Sequence, residues 1–216
     1  MTKLELAKKI DHTLLKPDAT AAQIEKLCQE AVTHHFCSVC VNSGRAAQAK
    51  KAIAGSDVKL CVVVGFPLGC SVSKAQEAKA MAQLGADEID MVLDIGRAKD
   101  GDWDAVEADI RAVREACQEQ VLKVILETCL LTEAEIVRAC QASKAAGANF
   151  VKTSTGFSTG GAKAEDVVLM KASAGGLLVK ASGGIHSYAE AMEMIEAGAD
   201  RIGASAGIAI LEGLEE

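Results

Sequence analysis

Three stretches of the chain repeat one junction: Gly85-Ala-Asp-Glu-Ile-Asp, Gly147-Ala-Asn-Phe-Val-Lys and Gly198-Ala-Asp-Arg-Ile-Gly. Each sets a glycine after a helix-like run, then a short polar turn, then a strand-like run. Glycine in that place adopts φ > 0 and closes the helix. The three are therefore helix-to-strand turns of one architecture. Apolar, Val/Ile/Leu-rich runs lie at 10–14, 36–42, 59–67, 88–94, 122–128, 149–154, 177–182 and 201–205. Several are continuous rather than alternating, as parallel strands covered on a face read. Helix-like stretches separate them, at 19–33 after the start signal Pro17-Asp18, at 73–84 and at 132–146. The last two open on hydroxyl residues suited to N-caps, and Thr132-Glu-Ala-Glu135 reads as a capping box. Eight strands alternating with helices predict a closed eight-stranded parallel (β/α) barrel, with residues 1–216 as one catalytic domain. An open doubly wound sheet is the alternative, but no GxGxxG follows the first strand and no linker divides the chain.

Composition narrows the functions. The net charge is −7, and no basic patch with interleaved aromatics is present, so nucleic acid is excluded as a partner. No apolar run reaches the roughly 18 residues of a membrane span. The chain opens on Met1-Thr-Lys-Leu-Glu-Leu, without a secretory hydrophobic run. Its eight cysteines lie in helix-like and strand-like segments, not in turns, which reads as reduced thiols and a cytoplasmic location. Cys37-Ser-Val-Cys40 beside His34 and His35 resembles a metal clip. In a strand, however, residues three apart point to opposite faces, so no metal site is expected there.

The chemistry-bearing residues are lysines inside apolar strands: Lys152 in Asn149-Phe-Val-Lys-Thr-Ser-Thr-Gly156 and Lys180 in Leu177-Leu-Val-Lys-Ala-Ser-Gly-Gly184. Lysine is almost never buried unless paired or working. Burial and a neighbouring cation both favour the free amine, the form that attacks carbonyls. The pair points to Schiff-base chemistry. Strand parity puts Glu88, Asp90, Val92 and Asp94 on one face, and a buried Asp90 needs a cationic partner that lysines from nearby strands can supply. Lys123 and Glu127 form a further candidate pair, with Lys123 assigned a structural role because it lies near the start of its strand.

Glycine and hydroxyl clusters end the last two strands: Ser182-Gly183-Gly184-Ile185 and Gly203-Ala-Ser-Ala-Gly207. Backbone amides there face an anion with no Cβ in the way, and phosphate sites after strands seven and eight recur in this fold. Two rival readings use the same residues. A phosphosugar isomerase would use Asp90 as a base with no covalent intermediate. A non-catalytic phosphosugar-binding barrel would need no reactive lysine.

Five segments, Ile10-Asp-His-Thr-Leu-Leu-Lys-Pro17, Glu88-Ile-Asp-Met-Val, Phe150-Val-Lys-Thr-Ser-Thr-Gly156, Val179-Lys-Ala-Ser-Gly-Gly-Ile185 and Arg201-Ile-Gly-Ala-Ser205, together resemble the deoxyribose-phosphate aldolase family, in order over nearly the whole chain. The resemblance implies a class I aldolase with no metal or organic cofactor, acting on a phosphorylated sugar and aldehydes, and a homo-oligomer (dimer or tetramer). It implies Lys152 as the Schiff-base residue, Asp90 and Lys180 as the acid/base pair, and substrate contacts from Cys40, Thr155, Gly156, Gly183, Gly184, Gly203 and Ser205. The chain departs from some relatives in ending at Leu211-Glu-Gly-Leu-Glu-Glu216 with no aromatic tail, and in carrying Phe157 and Ala206 near the expected phosphate site.

Overall fold

Eight parallel strands close on themselves in chain order: β1 Ile10–Leu14, β2 Ser38–Asn42, β3 Lys59–Val64, β4 Glu88–Val92, β5 Val121–Ile125, β6 Phe150–Lys152, β7 Leu178–Ser182 and β8 Arg201–Ala204. The computed structural model describes residues 1–214. Closure is made by β1 against β8, in register Ile10 to Ile202 and Asp11 to Gly203. Around the barrel run α1 Lys3–Ala7, α2 Ala21–His34, α3 Ala46–Ala52, α4 Lys74–Leu84, α5 Ile95–Lys99, α6 Trp103–Ala116, α7 Glu133–Ala145, α8 Ala164–Ser173, α9 Tyr188–Glu196 and α10 Gly207–Glu212. None of these helices is long and apolar enough to cross a membrane.

Strand parity divides the molecule into two environments. Outward residues such as Ile10, Val39, Val41, Leu60, Val62, Ile89, Leu122, Val124, Val151, Val179 and Ile202 are fully buried in the main core, against the helices. Each such side chain contributes about 1.5–3 kcal/mol of burial. The alternate residues face the barrel axis and are largely polar: Asp11, Ser38, Glu88, Asp90, Lys123, Lys152 and Lys180 are all buried. A small apolar cluster of Leu15, Cys40, Cys61 and Val63 completes the interior. This second, charged interior positions the chemistry.

The junction glycines behave as their spacing demands. Gly85, Gly147 and Gly198 have φ of 97°, 84° and 111°. Thr132 caps α7 with the full reciprocal box to Glu135. Three local expectations fail. Ser73 does not cap α4, because its hydroxyl is engaged with that of Ser71 at 2.9 Å. The start of α2 is set by Thr20, which boxes with Gln23, rather than by Pro17-Asp18. The apolar runs also continue past the strand ends. β4 stops at Val92 and β5 at Ile125, while Leu93 and Leu126 stay buried against the helices without extending the strands. Asp94 thereby leaves the barrel face and instead caps α5, accepting from the Arg97 N–H at 3.2 Å.

Candidate active site

Asp90, at the middle of β4, gathers cations from three other strands. Its Oδ2 accepts from Lys152 Nζ at 2.9 Å and from Lys180 Nζ at 2.8 Å. Its Oδ1 accepts from Lys123 Nζ at 2.8 Å and from the Cys61 thiol at 3.1 Å. The register explains the convergence. Lys152 and Lys180 are direct partners across β6 and β7, and Lys123 is the direct partner of Asp90 across β4 and β5. Neighbouring side chains on one sheet face lie close enough to meet.

Beneath this set, a second tier neutralises the cations. Lys180 Nζ lies 2.5 Å from Asp11 Oδ2. Arg201 pairs with Asp11 and, at 3.0 Å, with Glu88, and Lys123 pairs with Glu88. Ser38 Oγ donates to Asp11 Oδ1 at 2.7 Å. Burial alone would raise the pKa of Asp90; the charges of Lys123, Lys152 and Lys180 outweigh it and hold the carboxyl well below the usual carboxylate range. Burial likewise works to raise Asp11, and Lys180 and Arg201 bring it down. For Lys180 the signs reverse: burial lowers it, while Asp11 and Asp90 carry it above the ordinary lysine value. Lys180 therefore rests as an ammonium and shares one carboxylate oxygen with Lys152.

Above the network opens a cavity of about 320 Å³. Lys152 is the member of the charge network that lines it, joined by Thr155, Gly156, Gly183, Gly184, Gly203 and Ser205. Asp90, Lys180 and Cys40 lie below its lining and are fully buried. The cavity wall also includes Thr13 and Leu14 of β1 together with exposed Lys16 and His186, which sequence reasoning did not single out. Lys16 lay within a quoted motif, but nothing in its local sequence shows that the loop after β1 folds over the mouth. Phe157, half exposed, stands edge-on to Phe66 with ring centroids 5.2 Å apart.

Several expected groupings change. Lys123 does not pair with Glu127; it joins Asp90 and Glu88, and Glu127 bonds Thr155. Strand parity had allowed the pair, but Glu127 lies beyond the end of β5 with φ 58° and ψ 60°, off the strand face. Cys40 does not gather with Cys37. It lies inside the barrel with Cys61 and Asp90, their ligand atoms within 4.8 Å of one another. The ammonium groups of Lys123 and Lys180 on Asp90 oppose a cation there. The Cys40 thiol is lowered, first by its hydrogen bond with Cys61 and then by Lys180 and Lys152, against the effect of burial. Burial pushes Cys37 up to about 11. All eight cysteines are free thiols. Gly203 also has a different reason to be glycine. A Cβ there would meet Lys180 Cε at 2.9 Å, so its absence makes room for that lysine's stem.

Known proteins resemble the chain over nearly its full length. The model of the DeoC/LacD family of aldolases matches residues 6–213. A deoxyribose-phosphate aldolase of Finegoldia magna is 61% identical over 213 residues, covering 97% of this chain and 100% of that protein. A deoxyribose-phosphate aldolase of Clostridium perfringens is 56% identical over 217 residues, covering 99% and 97%. Among solved structures, the tetrameric deoxyribose phosphate aldolase of Aeropyrum pernix superposes with a TM-score of 0.85 at 34% identity, covering 98% of this chain and 91% of that one. With a buried lysine pair on one carboxylate, a closed barrel and identity above one half over nearly its full length, the chain belongs to the DeoC/LacD family of aldolases.

Proposed function

We propose that the chain cleaves 2-deoxy-D-ribose 5-phosphate reversibly to acetaldehyde and D-glyceraldehyde 3-phosphate, with Lys152 as the nucleophile. The observation that carries this reading is the sharing of Asp90 Oδ2 by Lys152 and Lys180, with only Lys152 reaching the cavity. Lys152 is therefore the lysine of the pair that a substrate reaches, and a lysine attacks a carbonyl through its neutral amine. The amine adds to the C1 aldehyde, and loss of water from the carbinolamine gives an iminium. The C3 hydroxyl gives up its proton, the C2–C3 bond breaks, and its electron pair passes into the iminium to form an enamine. Glyceraldehyde phosphate leaves. The enamine takes a proton at C2, and water hydrolyses the resulting iminium to acetaldehyde and free Lys152.

Lys180 carries the proton: its ammonium protonates the hydroxyl that leaves the carbinolamine as water, the amine so formed takes the C3 hydroxyl proton, and Asp90 anchors it throughout. A carboxylate held so far below its ordinary range is a poor base, which weighs against an isomerase that would use Asp90 alone to abstract a proton. The loops at Gly183–Gly184 and Gly203–Ser205 receive the phosphate, with Lys16 at the rim of the same cavity supplying positive potential and His186 beside it. Cys40, beneath the floor, packs against the reacting end. The entire chain acts as one catalytic unit in the cytoplasm, where its free thiols stay reduced, and assembles as a dimer or tetramer. Light scattering in solution tests the assembly. The activity is tested by following acetaldehyde release from deoxyribose phosphate. Conversion to a ketose phosphate without acetaldehyde would instead identify an isomerase.

A further inference from the structure

Glu127 has no part in that mechanism, yet its backbone is one of the more strained in the molecule. With His35 it is one of two non-glycine residues of positive φ among the described residues, and it is 2% exposed. Such a conformation costs about 1–3 kcal/mol and persists only where its surroundings enforce it. Here the enforcement is visible. The Leu126 N–H donates to the Lys152 carbonyl at 2.8 Å, and the Thr128 N–H donates to the Thr153 carbonyl at 3.0 Å. Two residues on one side match one on the other, so Glu127 is an inserted residue, as in a β-bulge, a device that re-aims a side chain.

The side chain is aimed at Thr155. Glu127 Oε1 accepts the Thr155 N–H at 3.1 Å, and Oε2 accepts the Thr155 hydroxyl proton. Thr155 Oγ1 in turn accepts the Phe157 N–H at 3.0 Å. A threonine hydroxyl has one proton and two lone pairs. The proton and one lone pair are committed, so Thr155 can offer the cavity it lines only an acceptor. Thr155 lines the cavity with Lys152, three residues before it, and its neighbour Gly156 abuts the glycine loop, where an added Cβ would lie 3.9 Å from Gly183 Cα, so Thr155 faces the middle of a substrate whose aldehyde carbon is on Lys152.

We infer that Glu127 is a specificity-determining positioning residue: by fixing the Thr155 hydroxyl as an acceptor, it selects aldehydes that carry a hydroxyl on the carbon next to the reacting carbonyl. This rests on the aldolase reading above. The test is condensation with acetaldehyde, comparing D-lactaldehyde with propanal. The two differ only in that hydroxyl, and neither carries phosphate. Wild type prefers D-lactaldehyde. Glu127→Gln is isosteric, but its amide nitrogen donates to Oγ1 and turns the threonine proton toward the cavity. That variant loses about five- to tenfold of the kcat/KM ratio, the effect of one mismatched hydrogen bond. Thr155→Val loses the same, and the double variant loses no more, because Glu127 acts through Thr155. No preference in wild type, a proportional fall for both aldehydes in Glu127→Gln, or a further fall in the double variant would overturn the inference. Borohydride trapping of acetaldehyde on Lys152 in wild type separates the two readings. Without it the aldolase reading fails and takes this one with it, whereas trapping with an unchanged ratio defeats this one alone.

Discussion

Lys152 and Lys180 share one carboxylate oxygen but differ in what else holds them. Lys180 has Asp11 as well and sits wholly below the cavity, whereas Lys152 has only Asp90 and opens onto substrate. Substitutions at the two positions should therefore fail differently. Lys152→Arg keeps a cation on Asp90 but cannot form an imine, since guanidinium does not lose its proton. Turnover falls by on the order of 10⁴-fold or more while the urea midpoint hardly moves, which steady-state assays and denaturation check together. Lys180→Leu leaves Asp11 and Asp90 short of a cation in a buried site. It costs about 3–5 kcal/mol of stability and several orders of magnitude of activity. Equal stability in the two variants would contradict the tiered network. Lys152, Lys180 and Asp90 were legible in the sequence because a charge inside an apolar run is conspicuous wherever it falls. Asp11 and Arg201 were not, because their significance lies in each other, 190 residues apart along the chain. Glu127 was misread for a related reason: strand parity assumes a regular strand, and a bulge removes the residue from its face.

The segments between strands carry recognition, and their sequences report turns more faithfully than ends. The glycine junctions and the α7 capping box read directly, since each is a local rule satisfied within six residues. At Gly147, where φ is 84°, alanine must adopt a left-handed conformation. Gly147→Ala costs about 1–2 kcal/mol in urea denaturation with kinetic constants unchanged. Strand C-termini were overextended because Leu93 and Leu126 go on packing after the strand has ended, and apolar pattern cannot see where pairing stops. The loop after β7 offers a cleaner functional test. A side chain at Gly184 would meet no atom within 4 Å, so Gly184→Glu adds charge without a clash; its φ of 78° adds about 1–2 kcal/mol of backbone strain, which falls on both substrates alike. Deoxyribose 5-phosphate should then lose on the order of 10²-fold more kcat/KM than unphosphorylated deoxyribose. An unchanged ratio between the two would place the phosphate away from this loop.

Closure of the barrel makes the charge network one object, assembled from β1, β4, β5, β6, β7 and β8. The strand count and alternation made the barrel legible in advance. The register that brings Asp90 opposite Lys123 and Lys152 opposite Lys180 was not, because parallel pairing across long crossovers leaves no local mark. The network also sets a pH window. Asp11 and Asp90 have folded pKa values below their unfolded ones, so their contribution is present above about pH 4 and lost as pH falls through the folded values. Lys123 and Lys180 are raised, so theirs is present below about pH 10 and lost as pH rises beyond it. The stability advantage of wild type over Asp90→Asn should thus be constant from about pH 5 to 9 and shrink below about pH 4 and again above about pH 10, measured by urea denaturation across the series. The proposed reaction depends on one covalent bond, between Lys152 and the substrate. The protein is incubated with deoxyribose 5-phosphate, reduced with borohydride and digested, and the modified peptide is sequenced by mass spectrometry. A two-carbon ethyl adduct on Lys152, absent from Lys152→Arg, is the predicted result. An adduct on another lysine, or none on a protein that turns over its substrate, would contradict it.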